Sequence, residues 1–115
     1  MSNPIKVSLV EDDEGLRTEL EKVVAGAAGF TFLKSYPDAE TALLDVPRDR
    51  PDLVLMDIHL PGMSGIDCVR KLKDIIPSLP IVMLTVYEDS EALFQSLMAG
   101  ANGYLVNRTP RPKLL

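Results

Sequence analysis

The chain lacks cysteine pairs, a basic charge balance and any long apolar run, and each absence closes off a class of protein. Its only cysteine is Cys68. A disulfide framework is therefore impossible, which fits a reducing compartment. Positive charge is in deficit: 12 lysines and arginines face 17 acids, for a formal net charge of -5. Such a surface repels nucleic-acid phosphates and anionic membranes, so this chain does not grip either by itself. No apolar run approaches the roughly 18 residues that a membrane span needs. The start, MSNPIKVSLV, holds no apolar stretch long enough for a secretion signal. The cytoplasm is the expected location. There is no excess of proline and glycine, no repeat, no low-complexity tract and no internal linker. Disorder and repeat architectures are thereby set aside.

What is present is one domain's worth of chain, 115 residues, with 46% hydrophobic residues to build a core. IKVSLV (5–10) alternates and then turns apolar, as a buried strand does. EDDEG breaks it. Leu16, Leu20, Val23, Val24 and Ala27 then fall at helical spacing, and Gly29 closes that helix. FTFLKSY predicts a second strand. Asp38 is placed to cap a short helix with Ala39, Leu43, Leu44 and Val46 as its apolar positions, ended by Pro47 and Pro51. DLVLMD predicts a third strand, apolar between two acids and so covered on both faces. PGMSG is a loop. IDCVRKLKDII predicts a helix stopped by Pro77, PIVMLT a fourth strand, SEALFQSLMAG a helix ending at Gly100, and GYLVN a short fifth strand. Cys68 lies in the third of these helices, where a free thiol packs as a small hydrophobe. In NRTPRPKLL a fifth helix begins near Pro110 and then runs out of chain. The expectation is a truncated last helix, or a sheet face that lacks part of its cover. Apolar surface left open there invites association, so a homodimer or a helix-exchanged assembly is expected.

Strict strand–helix alternation predicts an α/β fold: a doubly wound parallel sheet with helices on both faces. In such sheets ligands bind beyond the carboxyl ends of the strands. Glu11, Asp12 and Asp13 follow the first strand. Asp57 ends the third, Thr85 the fourth and Asn107 the fifth. Taken singly, each is equally well a solvated turn or a cap; Asp13, for instance, suits the N-cap of the first helix. Together they converge on one edge. Crowded carboxylates repel, and either raise a pKa or recruit a cation. With no cysteine or histidine cluster beside them, a hard ion such as Mg²⁺ is favoured over zinc. A carboxylate beside Mg²⁺ and a hydroxyl donor is suited to receive a phosphoryl group.

On the stretches LVEDDEGLR, LVLMDIHLPGMSGID, VMLTVYED and AGANGYLV, in that order and spacing, the chain resembles the receiver domain of two-component response regulators. Among these it is most similar to regulators with a helix-turn-helix output domain. The resemblance spans essentially the whole chain, 1–115, as one receiver domain whose last helix and output domain are absent. It implies the flavodoxin-like (CheY-like) strand order 2-1-3-4-5. It also implies Asp57 as phosphoacceptor, Glu11 and Asp12 as the acid pair, and Mg²⁺ held by Asp12, Asp57 and the backbone carbonyl of His59, with Glu11 acting through water. Thr85 corresponds to the switch hydroxyl. Tyr104 corresponds to the aromatic that turns inward, though ordinary core packing is its other reading. The side chain of His59 is a metal ligand, a general base, or a group overhanging the pocket as a bystander or a modulator of phosphate lifetime; the resemblance uses only its backbone. Val86 and Tyr87 line the entrance, and Val86 is bulkier than the small residue common there. The implied partner is a sensor histidine kinase, and DNA enters only through an output domain. The implied role is a phosphoacceptor with catalytic power over its own phosphate, not a turnover enzyme.

One position departs from the pattern. The family carries a lysine at the end of the fifth strand, and this chain has Asn107 followed by Arg108. Asparagine donates hydrogen bonds without charge, and charge-assisted bonds are roughly twice as strong. Arg108 is a poor substitute, because adjacent strand residues face opposite ways. Asn107 keeps a second reading open: a non-phosphorylated pseudo-receiver acting as an interaction module. Two others fit less well. An aspartate-nucleophile phosphatase of another fold would place D-x-D after the first strand. A flavin-binding protein would place a Ser/Thr/Gly-rich phosphate loop where EDDEG stands.

Overall fold

The computed structural model describes residues 3–85 and 90–106, with Thr85, Ser90 and Val106 placed by their backbone alone. Val86, Tyr87, Asn107, Arg108 and the helix expected near Pro110 lie outside the described residues.

Among the described residues, five strands and four helices alternate. β1 (Ile5–Val10) leads to α1 (Glu14–Gly26), β2 (Phe30–Tyr36), α2 (Ala39–Asp49) and β3 (Leu53–Asp57). Then follow α3 (Gly65–Ile75), β4 (Ile81–Thr85), α4 (Ser90–Ala99) and β5 (Gly103–Val106). All pairings are parallel, as the alternation predicts, and the order is β2-β1-β3-β4-β5, the flavodoxin-like arrangement that the resemblance implies. α1, α2 and α3 start where short polar side chains accept the first free amide protons. Asp13 accepts from the Leu16 amide at 2.9 Å, Asp38 from Thr41 at 2.7 Å, and Ser64 from Asp67 at 3.1 Å. The Thr41 amide also holds the Asp38 carboxyl below its usual range.

The pleat divides the strands between two cores. Val10, Val54, Met56, Ile81 and Met83 pack with α2, α3 and Ala99 of α4. Val7, Leu9, Leu55 and Leu84 face Val24 of α1 in a smaller cluster. β3 is buried on both faces, as its unbroken apolar centre requires. Cys68 is fully buried in the larger core with a free thiol, which donates to the Ala39 carbonyl at 3.7 Å; burial pushes its pKa up to about 12.

Three local expectations need correction. Val23 is 66% exposed and Leu44 75% exposed. Neighbours on a helix are about 100° apart, so Val24 and Leu43 take the inward places and push these two outward. Pro47 does not end α2. The helix runs to Asp49 and closes at Arg50, whose left-handed backbone (φ 52°) donates to the Val46 carbonyl at 2.9 Å. A proline this near the end removes one helical bond, and Val46 stays buried. Gly29 is not the cap of α1 itself. Ala27 caps it, and Gly29 (φ 87°) makes the turn into β2. The β1–β2 ladder slips by one residue between Val7 and Ser8, leaving Leu33 as the extra residue on the edge strand.

Candidate metal centre

β1 and β3 are neighbours in the middle of the sheet, so whatever follows them emerges side by side. The Glu11 amide donates to the Tyr36 carbonyl at 3.1 Å, which carries the ladder one residue past β1 and fixes the direction of the turn. Arg17 reaches back from the first turns of α1, and its Nη1 donates to the Glu11 carbonyl at 2.9 Å and the Asp12 carbonyl at 3.5 Å. Asp57 is the last residue of β3. Gly65, the first residue of α3, packs directly on its backbone, leaving no space there for a Cβ. The Ile58 amide donates to the Leu84 carbonyl at 3.3 Å, and the Gly65 amide to the Ile58 carbonyl at 3.0 Å. The end of β3 is thus held from β4 and from α3.

This scaffold brings carboxylate oxygens of Glu11, Asp12 and Asp57 within 4.8 Å of one another. Asp13 does not join them, because its side chain caps α1. Glu11 is only 1% exposed, Asp57 is half-buried and Asp12 faces water. Burial, only partly offset by a 3.0 Å hydrogen bond from the Asp13 amide, pushes the Glu11 carboxyl up to about 8; the Asp57 charge pushes the same way. Burial also raises the Asp57 carboxyl, opposed by the His59 amide, which donates to Oδ1 at 3.2 Å. The two titrate as a pair, with Glu11 holding the proton and Asp57 the charge.

Three carboxylates without a thiolate or imidazole among them form a hard oxygen set, so the residues fit Mg²⁺ and do not fit zinc. A divalent ion there would offset both the burial and the neighbouring charge that raise the Glu11 carboxyl. The His59 side chain is exposed and outside the cluster. Thr85 ends β4 one residue past Leu84, the partner of Asp57. Tyr104 stands on β5 opposite Met83 and is 48% exposed, so it is not core packing.

Arg17 and Gly65 shape the site, and the sequence does not single them out for it. Arg17 shows only as one more charge on a polar helix face. The need for glycine at Gly65 arises from a backbone approach that no local pattern encodes.

The response regulator receiver domain profile matches residues 7–115. The DNA-binding transcriptional activator DevR/DosR of Mycobacterium tuberculosis is 33% identical over 102 residues, covering 89% of this chain and 47% of that protein. The chain spans about half the length of the curated relatives it matches first. Among solved structures, a putative response regulator from Chloroflexus aurantiacus superposes with a TM-score of 0.83 at 31% identity, covering 92% of this chain and 87% of that one. A LuxR-family two-component response regulator from Aurantimonas gives 0.84 at 26% identity, covering 89% and 73%.

Proposed function

The chain belongs to the response regulator receiver domain family, and from that premise we propose that it is a phosphorylation-controlled switch whose Asp57 accepts a phosphoryl group from a sensor histidine kinase. The observation that carries this reading is the meeting of Glu11, Asp12 and Asp57 at the carboxyl edge of the sheet. Asp12, Asp57 and the His59 carbonyl would hold Mg²⁺, with Glu11 acting through water. Bound there, the ion supplies neutralisation of charge on the phosphoryl oxygens.

The rest is done by the chain. A carboxylate oxygen of Asp57 attacks the phosphorus of a phosphohistidine. The O–P bond forms as the P–N bond breaks, and the imidazole leaves with the electron pair. Hydrolysis later returns Asp57: a water oxygen attacks phosphorus, the Asp57 O–P bond breaks, and inorganic phosphate departs. The Thr85 hydroxyl donates to a phosphoryl oxygen, and Tyr104, half-exposed beforehand, turns inward as Thr85 moves. The domain is thus a phosphoacceptor and not a turnover enzyme for outside substrates. Its relatives are named as transcriptional regulators, so its conformational change is relayed to a DNA-binding output domain in a longer regulator acting in the cytoplasm.

Intact-protein mass spectrometry after incubation with Mg²⁺ and acetyl phosphate tests this, with Asp57→Asn and Asn107→Lys alongside. The parent is expected to gain one phosphoryl group, Asp57→Asn none, and Asn107→Lys to gain it faster or to couple it better to the conformational response. No adduct on folded parent would favour the pseudo-receiver. An unchanged rate and response in Asn107→Lys would remove any role for that departure.

Leu105, 54% exposed, continues the apolar strip of Val82 and Leu84 on the α1 side of the sheet, where Val23 is also exposed. This chain by itself is proposed to self-associate through that side, as a dimer or by helix exchange. Light scattering is expected to show a mass that rises with concentration; a clean monomer at high concentration removes the idea.

A further inference from the structure

Glu40 lies in the first turn of α2, two residues after its cap, yet its carboxylate reaches a different element. Its Oε2 accepts a hydrogen bond from the Met63 amide at 3.0 Å, in the loop between β3 and α3. That loop is shaped for the meeting. Gly62 adopts a left-handed backbone (φ 74°), and a Cβ there would stand 2.6 Å from Glu40 Oε2. Only glycine takes this conformation without strain, and only glycine leaves room for the carboxylate. The start of α2 is in turn tied to α3, through the Cys68 thiol on the Ala39 carbonyl. Helix capping does not explain Glu40, since Asp38 already serves the free Thr41 amide.

The loop that Glu40 grips carries His59, whose amide sits on the Asp57 carboxylate. One end of the loop is fixed by Ile58 on β4 and by Gly65 on Ile58. Between those ties Leu60 is buried in the larger core, and the Met63–Glu40 bond holds the stretch that follows it. From this geometry we infer that Glu40 is a positioning residue for the Asp57 site, holding the loop so that the His59 backbone keeps its place beside Asp57 and the metal. The inference rests on the function proposed above. It gives α2, which contributes nothing to the acid cluster, a direct line to that cluster. Outer partners that orient metal ligands typically matter tenfold or more in affinity.

The test compares parent, Glu40→Ala and Glu40→Gln by calorimetric titration with Mg²⁺ and by hydrogen exchange at the Met63 amide, with acetyl phosphate uptake alongside. Glu40→Ala is expected to weaken Mg²⁺ binding by about tenfold and to speed Met63 exchange by a similar factor. Glu40→Gln keeps an acceptor oxygen and is expected to stay within about twofold of the parent on both. A merely structural role at the start of α2 would lower the unfolding midpoint while leaving Mg²⁺ affinity unmoved, and that result overturns the inference. So does a glutamine variant as weak as the alanine one, which would assign the effect to charge instead of the hydrogen bond. A parent that binds Mg²⁺ and takes phosphate while Glu40→Ala matches it removes this inference alone. A parent that does neither removes the proposed function with it.

Discussion

Gly65→Ala is expected to cost about 3 kcal/mol of stability and to lower the unfolding temperature by roughly 10 °C. The added methyl group would land on the Asp57 carbonyl oxygen, with the Asp57 carbonyl carbon 3.0 Å away and the Ile58 Cα 3.1 Å away. All three are backbone atoms, so no rotamer change relieves the clash. Either α3 lifts off the end of β3, or Asp57 is displaced. The first loses packing at Cys68, Val69 and Leu72, all fully buried. The second disperses the acid cluster. Thermal unfolding together with Mg²⁺ titration of the folded variant distinguishes the two. A variant that melts within about 2 °C of the parent and binds Mg²⁺ equally well would show that the helix slides without penalty.

Without metal, the protein is expected to lose stability as pH rises from about 5 to about 8, and Mg²⁺ is expected to restore it. The sign follows from Glu11. Its carboxyl titrates near its ordinary value of 4.5 in the unfolded chain and at about 8 in the fold. Between those values the folded state holds a proton that the unfolded state has released, so raising the pH favours unfolding. The full effect of such a gap is up to about 5 kcal/mol, a large share of a small domain's stability. Asp38 and Asp49 are held below the usual carboxylate range, Asp38 by the Thr41 amide and Asp49 by the Tyr36 hydroxyl. Their contribution runs the other way but is complete by about pH 5. Mg²⁺ must displace the Glu11 proton, so its affinity should rise with pH across the same window, with proton release on binding. Urea titrations at several pH values and calorimetry in two buffers of different ionisation enthalpy check both halves. Glu11→Gln should flatten the stability profile. Mg²⁺ affinity that stays constant from about pH 5.5 to 8 would refute the coupling.

The strand–helix alternation and the gathering of acids at one sheet edge were legible because each rests on local pattern, whereas the strand order came only from the resemblance. A short apolar run such as LVLM between turn signals fits a buried strand, and an acid at its end then lies at the sheet edge. The identity of the acid pair was less open to inspection. EDD offers three carboxylates in a row; the resemblance implied Glu11 and Asp12, and the Leu16 amide, by claiming Asp13 as a cap, leaves those two to face Asp57. What remained illegible is tertiary. Val23 and Val24 read alike until α1 is laid on the sheet. Glu40 reads as an ordinary first-turn acid, and its bond to Met63 spans 23 residues. The perturbed Glu11 carboxyl belongs to the same class, since burial depends on neighbours that sequence spacing does not list.

The slip in the β1–β2 ladder bears on how copies of this sheet meet. β2 is an outer strand, and its free side would normally be a template for another strand. The extra residue at Leu33 breaks the even spacing of amides and carbonyls along that side, and Lys34 follows it with a charge paired to Asp45 and Asp49 of α2. An incoming strand could match only a few residues before losing step, and would have to strip a cation from its partners to go further. The β2 border is thereby guarded against the edge-to-edge pairing that joins sheets of separate molecules.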